Sequence, residues 1–173
     1  SERSASAVVH ERSYDVHAYP RLRWRWKVPE VIEDGNAQTK KGDDYALRVY
    51  VLFPYTPEGL SFTEKMRYKA LKIAYGRYPP HSVLNYVWAN RSHDARIVPN
   101  AFNSRSRMIL LHGDGKRLGE WVTEERNVLE DYRKAFGEEP PDKVRLAIMA
   151  DSDNTRSSTT AFMDYIEVLP KKP

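Results

Sequence analysis

Residues 45–53, Tyr-Ala-Leu-Arg-Val-Tyr-Val-Leu-Phe, have the clearest strand pattern in the chain and decide its fold class. Every second side chain is large and apolar, which predicts a strand with one face in a core. The residues on that face are Tyr45, Leu47, Val49, Val51 and Phe53. Because Tyr50 and Leu52 add apolar groups to the opposite face, we expect this strand in the middle of its sheet. Pro54 ends the strand, since proline has no N–H to donate.

The same alternation predicts several further strands. In residues 22–28, Leu-Arg-Trp-Arg-Trp-Lys-Val, apolar residues alternate with three cations, as in a half-buried strand. Residues 82–88 also predict a strand, with Leu84, Tyr86 and Trp88 on one face and Asn85 on the other. Two shorter strands are predicted at 107–112 and 119–122, a strong strand at 144–150 and the last strand at 160–169.

Two segments have helical spacing instead. Phe62, Met66 and Ile73 recur at helical intervals within residues 61–75, and residues 124–136 carry a second apolar stripe ended by Gly137. A doubly wound α/β sheet would need a helix after nearly every strand. The sequence therefore predicts an all-β fold: a single domain over residues 1–173, built as a jelly-roll-like β-sandwich with two short peripheral helices.

Composition excludes several classes of protein. The chain has no cysteine, which excludes disulfides, thiolate metal sites and cysteine nucleophiles. Aromatic residues make up 12% of the chain, which argues against disorder despite a mean hydropathy of −0.71. No apolar run approaches the roughly 18 residues of a transmembrane helix. The net charge of +4 is mild, and the basic stretch at 21–27 is explained by its strand pattern, so we expect no nucleic-acid partner.

An oxygen-rich segment, Asp151-Ser152-Asp153-Asn154-Thr155, follows the strand at 144–150. Its spacing matches the start of a calcium loop, but Arg156 replaces the glycine and Phe162 the glutamate of an EF-hand. A different calcium site formed by Asp151, Asp153 and Asp164 is one hypothesis. The other is a hydrogen-bonded hairpin loop between two core strands, since Asp and Asn side chains also bond their own backbone.

A second group combines flat rings with amides, a combination suited to sugars. Its members are Asn85, Tyr86, Trp88, Asn90 and Trp121. Core aromatic residues of a sandwich give the same pattern, so this group predicts either a glycan site or part of the core.

Catalytic motifs are weak. The histidines at 10, 17, 81, 93 and 112 have no zinc spacing, and the sequence has neither a nucleophile elbow nor a phosphate-binding loop. A glycosidase pair of carboxylates depends on distance in space and leaves no spacing signal. The candidates to measure are Glu125, Asp131, Asp151 and Asp164. The sequence thus assigns no catalytic residue and leaves open whether the protein is an enzyme.

Several strings, taken in order, carry a resemblance to a known family. They are Trp24–Val28, Lys41–Ala46 running into Arg48–Val51, Leu84–Ala89, Gly119–Trp121, Arg126–Val128, Asp131–Glu138, Ala147–Thr155 and Asp164–Ile166. From about Leu22 to Val168 the chain resembles the bacterial domain of unknown function family 3047 (DUF3047).

The resemblance implies an exported bacterial protein, located in the periplasm or outside the cell, with no established activity. The Ser1 start without methionine also fits a mature exported protein or a trimmed chain. The closing strand is similar to the last hairpin of galactose-binding-like jelly rolls, where a structural calcium can bind. Arg156 and Met163 replace glycines that are usual in the family. The family's extra strands before Trp24 have only residues 1–20 as counterpart, so we expect part of a sheet to be missing or supplied by another chain.

Three functions follow as hypotheses. The first is a non-catalytic exported module that binds a glycan or cell-envelope polymer. The second is a structural accessory subunit that decorates a larger extracellular or membrane-associated assembly, suggested by a basic segment at 65–77 and an acidic one at 120–142. The third is a glycoside hydrolase-like enzyme.

Overall fold

The computed structural model describes residues 1–55, 61–75 and 78–172. Within these ranges the chain forms ten strands, two α-helices and one 3-10 turn, and the strands belong to two sheets. The predicted all-β, sandwich-like fold is confirmed.

The strands divide unequally between the sheets. The large sheet holds β1 (Ala5–Val9), β2 (Tyr14–Asp15), β4 (Tyr45–Phe53), β5 (Ser82–Trp88), β6 (Ile97–Pro99), β7 (Ser106–Leu111) and β9 (Lys143–Asp151). The small sheet holds β3 (Arg21–Lys27), β8 (Val122–Asn127) and β10 (Phe162–Leu169). The 3-10 turn is Lys40–Gly42, and the helices are α1 (Phe62–Tyr75) and α2 (Val128–Phe136).

The large sheet runs in the order β1-β9-β4-β5-β7-β6, with β2 also on β9, and the small sheet in the order β10-β3-β8. Pairing is antiparallel except between β5 and β7, which are parallel. A jelly roll is antiparallel throughout. The parallel β5–β7 pair departs from that pattern. The sandwich of two sheets is as predicted, whereas the finer jelly-roll and galactose-binding-like arrangement stays a prediction.

Rings from both sheets fill the space between them. Trp24 and Trp26 of β3 are fully buried, as are Tyr86 and Trp88 of β5. The centroid of Trp26 lies 5.4 Å from those of Trp24 and Trp88, and Trp24 lies 5.1 Å from Tyr86. Such pairs add about 0.5–1.5 kcal/mol each beyond the area they bury.

Strand β4 lies between β9 and β5, the central position that its two apolar faces predict. A register irregularity between Tyr45 and Arg48 breaks the alternation at its start. Tyr45 therefore does not share the inner face with Val49 and Val51. It packs instead with Ala37 in a second cluster on the outer face of the large sheet.

Helix α2 begins at Val128, four residues after the predicted start. Residues 124–127 instead extend β8, because they pair with β3 from Arg21 to Trp24. Asn127 caps the helix by accepting a hydrogen bond from the Glu130 amide, and Gly137 ends it at φ +71°. Helix α1 spans 62–75, within the predicted segment.

Residues 1–20 complete the edge of the large sheet. Strands β1 and β2 both pair with β9, so the chain supplies these edge strands itself, where the sequence suggested a missing part. Within the described ranges, no helix is long and apolar enough to cross a lipid bilayer.

Candidate functional site

A buried charge cluster lies on the outer face of the large sheet, centred on Arg48. Its side chain is 3% exposed. Its Nε donates to Oδ1 of Asp151 at 2.9 Å and its Nη1 to Oδ1 of Asp43 at 3.2 Å. Its Nη2 donates to Oδ2 of Asp151 and to the carbonyl of Asp43. The Tyr45 amide donates to Asp151 at 3.1 Å, and the Tyr45 ring lies 4.5 Å from the guanidinium. One cation thus holds two carboxylates from separate segments.

Burial dominates the electrostatics of this cluster. It raises the pKa of Asp151 to about 6, although Arg48 acts in the opposite direction. Burial also raises the pKa of Asp43 against the same cation. Burial alone would lower the pKa of Arg48, but Tyr50 and the two carboxylates raise it. The guanidinium is therefore always charged, while its partners resist ionisation.

An open groove of about 440 Å³ lies over the cluster, and we call it the Arg48 groove. Strands β4, β5, β7 and β9 line it together with the loops after β6 and β9. Its lining includes Asp43, Arg48, Tyr50, Leu52, Val83, Asn100, Phe102, Asn103, Ser106, Met149, Asp151, Asp153 and Asn154. The groove therefore combines rings, amides and carboxylates at one place.

The loop after β6 is fixed to the cluster by Asn100. Its Nδ2 donates to Oδ2 of Asp43 at 3.1 Å, and its Oδ1 accepts from the amides of Phe102 and Asn103 at 3.0 and 3.2 Å. Phe102 is left 58% exposed beside the groove, with Nζ of Lys40 over one face of its ring, 5.5 Å from the centroid. A large ring held on an anchored loop is available to a ligand at low entropic cost.

The loop after β9 is organised by Asp44. Its carboxylate accepts hydrogen bonds from the amide and Nδ2 of Asn154 at 3.3 and 3.0 Å. The amide and Oγ1 of Thr155 donate to it at 2.6 and 2.7 Å. Burial would raise the pKa of Asp44, but these hydrogen bonds outweigh it and hold the pKa below its usual value. The loop joins β9 of one sheet to β10 of the other, so it is not the hairpin loop of the sequence hypothesis.

The structure brings together two of the three predicted calcium ligands, Asp151 and Asp153, but not Asp164. Carboxylate oxygens of Asp44, Asp151 and Asp153 lie within 4.8 Å of one another. Asp164 instead pairs with Arg25 on the small sheet, at 3.1 Å. Protein donors already hold Asp44 and Asp151, whereas calcium takes six to eight oxygen ligands. These residues therefore do not fit a calcium ion.

Four of the five predicted glycan residues are structural. Tyr86 and Trp88 are core residues, and Asn85 is 1% exposed with no partner for its amide among the described residues. Asn90 accepts from the Ile32 amide at 3.0 Å and donates to the Asp44 carbonyl at 2.7 Å. All of β5 is buried, because Val87 on its outer side packs against Ala37, Val98 and Met108. The five residues therefore share no surface.

Trp121 is the exposed member of that group, at 39%. It lies next to the small sheet, where Arg25 and Lys27 approach its ring centroid to 5.1 and 5.2 Å. Phe162 lies 6.4 Å away and also has Lys27 over its ring, at 4.7 Å. Cations thus already lie over this ring pair.

The four candidate carboxylates for hydrolysis are each held by arginine and lie on different elements. Glu125 binds Arg21 and Arg23, Asp131 binds Arg126, Asp151 binds Arg48, and Asp164 binds Arg25. Asp131 also accepts from the Tyr86 hydroxyl at 2.8 Å. Arginine pairs of this kind orient and stabilise the structure. Each of the four candidate carboxylates therefore already has an arginine partner.

A second polar cleft, of about 360 Å³, lies beyond the ends of β5 and β7. His112 lines it at φ +56°, a backbone conformation uncommon for a residue other than glycine. Its Nε2 contacts the Glu124 carboxylate, and its ring lies 4.6 Å from Trp88. Because His112 follows β7 and Glu124 belongs to β8, this pair joins the two sheets.

The sequence did not single out Arg48, Asp43 or Asn100. One signal was present: Arg48 is a charge inside a strand predicted to be buried on both faces, and Asp43 and Asp44 precede that strand. A buried charge requires partners. Asn100 carried no comparable signal, because its role depends on where its loop folds back.

Two comparisons with known proteins bear on identity. None of the curated proteins matches the chain. A family model matches residues 1–167 of the 173, and its description is "Protein of unknown function (DUF3047)". The match begins before Leu22 and takes in the strands β1 and β2. The chain therefore belongs to the DUF3047 family.

Proposed function

We propose that the protein is a non-catalytic, exported module that binds a glycan or cell-envelope polymer, and that the ligand occupies the Arg48 groove. The observation that carries the proposal is the groove itself, which places an exposed ring beside fixed amides and carboxylates. The exported location rests on the family resemblance. The ligand site differs from the β5 residues favoured by the sequence, because those residues are buried.

The chemistry of the groove matches a sugar. A pyranose has an apolar ring face that packs on aromatic rings, and hydroxyls that need both donors and acceptors. Phe102 and Tyr50 supply the rings. Among the described residues, the Asp153 carboxylate and Oδ1 of Asn154 carry no protein hydrogen bond and are available as acceptors, while Nδ2 of Asn103 is available as a donor.

The test is binding to a panel of polysaccharides and cell-envelope fractions, measured by affinity electrophoresis and calorimetry. We expect Phe102→Ala to weaken binding about 10-fold or more, because an aromatic anchor at a binding site is worth at least about 1–2 kcal/mol. Trp121→Ala is the matched control, since it removes an exposed ring from the other sheet. If the unaltered protein binds no glycan, or both variants lose affinity equally, the proposal fails.

A hydrolase remains the alternative for the same groove. Oxygens of Asp151 and Asp153 lie within 4.8 Å of each other, and the pKa of Asp151 is raised to about 6. If the protein releases reducing ends from a bound polysaccharide and Asp153→Asn abolishes that release, the protein is a hydrolase and the non-catalytic proposal is wrong.

An accessory subunit is supported by a different region. Strand β1 is exposed along its whole length and lies at the edge of the large sheet. Beside it, Val8, Val9, Leu146, Ile148 and Ile166 line an open apolar slot of about 440 Å³. An exposed edge strand can pair with a strand from another protein. Recovery of a partner by cross-linking at residue 9, lost when Val8→Lys is added, would support this function.

A further inference from the structure

Helix α1 presents its apolar residues to solvent. Phe62 is 77% exposed, Met66 50% and Ile73 80%. At 3.6 residues per turn these three positions fall within about 40° of one another, so they form one stripe along the helix. The sequence pattern predicted this stripe, but the structure leaves it without a core to cover. An exposed apolar patch with a polar rim marks an interaction site.

The helix is attached to the fold through other positions. The Tyr68 ring packs on Tyr55, with centroids 4.1 Å apart, and Tyr55 stacks on Tyr78 at 4.7 Å. Lys72 Nζ lies 4.7 Å from the centroid of Tyr78. Tyr68 lies more than 100° around the helix from the apolar stripe. The stripe therefore points away from the contacts that hold α1 in place.

Cations flank the stripe on one side. Lys65, Lys69 and Lys72 are exposed, and helical geometry places them within about 80° of Phe62 on the same flank. Over its full sequence α1 has four cationic residues and one acidic residue. The exposed surface of the helix is thus an apolar stripe beside a row of positive charge.

We propose that α1 docks on an anionic lipid surface, with its apolar stripe at the boundary between headgroups and acyl chains. Cationic amphipathic helices bind membranes in this way. Lysines suit the role because their stems lie along apolar surface while the ammonium groups reach lipid phosphates. The charge pattern favours lipid over a protein partner, since lysine is depleted from protein–protein interfaces. The proposal is independent of the glycan function, because none of the α1 side chains that the structure describes lines the Arg48 groove.

The absence of cysteine allows a direct test of this contact. Met66→Cys carries an environment-sensitive fluorophore, and Lys41→Cys, an exposed position on the 3-10 turn, carries it as the control. With phosphatidylcholine vesicles containing about 30 mol% phosphatidylglycerol, we expect a blue-shifted, brighter emission at position 66 and no change at position 41. The shift should disappear on pure phosphatidylcholine and in about 0.5 M salt, which screens surface charge.

Two unlabelled variants separate charge from apolar contact in a vesicle co-sedimentation assay. Lys65→Gln/Lys69→Gln should lower partitioning about 25-fold, since each lysine near an anionic surface contributes roughly fivefold. Lys72 is left unchanged because it packs on Tyr78. Phe62→Ser/Ile73→Ser should lower it about 10-fold or more. Val8→Ser/Val9→Ser is the matched control, since it removes two exposed apolar side chains from β1, and it should leave partitioning unchanged. Circular dichroism checks that the variants stay folded.

Several outcomes would overturn the proposal. They are unchanged emission at position 66 with anionic vesicles, equal partitioning of all the variants, and binding as strong to pure phosphatidylcholine. A fourth is a dimer or a complex with an acidic protein that Phe62→Ser/Ile73→Ser disrupts while vesicle binding persists, because the stripe would then serve a protein.

Discussion

The outer faces of the two sheets use the same chemistry in different solvent environments. On the small sheet, β3 presents Arg21, Arg23 and Arg25, which pair with carboxylates of β8 and β10. On the large sheet, β4 presents Arg48 between Asp43 and Asp151. The side chain of Arg23 is 35% exposed and that of Arg48 3%.

This difference determines what each cluster can do. Exposed ion pairs contribute little, because water solvates the separated charges nearly as well. A buried guanidinium cannot lose a partner without leaving a charge unpaired in a poorly solvated place. Arg48 therefore fixes β9 and the segment before β4 relative to each other, and these two segments form the floor of the groove. The ion pairs on β3 lie on the surface of a sheet that is already stabilised by its buried Trp residues.

The largest effect should come from removing each arginine in turn. Arg48→Ala leaves two buried carboxylates without their cation and should lower the free energy of unfolding by about 3–5 kcal/mol. Arg23→Ala should lower it far less, because water solvates the exposed Arg23 and its partner Glu125 is also held by Arg21. Urea unfolding of both variants measures the difference. Equal losses of unfolding free energy in the two variants would mean that burial does not make the Arg48 ion pairs more important for stability than those of Arg23.

A somewhat smaller loss of unfolding free energy is expected when Asp44 is replaced. Asp44→Ala removes the acceptor of four hydrogen bonds from Asn154 and Thr155, and should cost about 2–3 kcal/mol. Amide exchange should also accelerate in residues 152–156. Asp164→Ala is the control, because it removes an exposed carboxylate paired with Arg25. If it lowers the free energy of unfolding as much as Asp44→Ala does, the contrast between the buried and the exposed face is wrong.

The pH dependence of stability should differ in sign between the faces. The pKa of Asp151 rises from 3.8 to about 6 on folding, so between these values the native protein binds a proton that the unfolded chain does not. Its contribution to stability is therefore present at low pH and is lost as pH rises through 6. Its size is on the order of 3 kcal/mol. Asp151→Asn should flatten this part of the curve of unfolding free energy against pH, and an unchanged slope would contradict the assignment.

Much of this architecture follows from alternation in the sequence. The patterns around Trp24, Val49 and Trp88 predict strands because each covers the core with every second residue, and the structure confirms all three. Alternation could not reveal that Tyr86 and Trp88 are core residues, since ring-and-amide patterns are the same for a core and a site. It also missed β1, whose residues are exposed throughout and so carry no burial pattern.

The groove was less predictable, for a physical reason. Its residues come from loops and strands that are distant in sequence, and pairing between strands brings them together. Asp151 was identified from its oxygen-rich neighbourhood, but the two hypotheses for it were a calcium ion and a hydrogen-bonded loop, and neither included Arg48. A guanidinium and a metal ion satisfy the same carboxylates, so the acidic residues alone could not distinguish them. The register places Arg48 opposite Met149, two residues before Asp151, and so brings the guanidinium to the Asp151 carboxylate.

The smallest predicted effect tests the exposed face at acid pH. Hydrogen bonds from Arg21 and Arg23 lower the pKa of Glu125 from 4.5 to about 2. Its contribution to stability is therefore present above pH 4.5 and is lost as pH falls toward 2, the reverse of Asp151. Because Glu125 is solvent-exposed, the loss should be small and should shrink further in high salt. Glu125→Gln should remove it, and Glu120→Gln, whose partner is Arg117 in an exposed turn, is the control. If unfolding free energy at low salt falls equally with pH below 4.5 in Glu125→Gln and in the unaltered protein, the ion pairs of Glu125 contribute nothing measurable to stability. The pH dependence would then come from the buried cluster and not from the exposed pairs of Glu125.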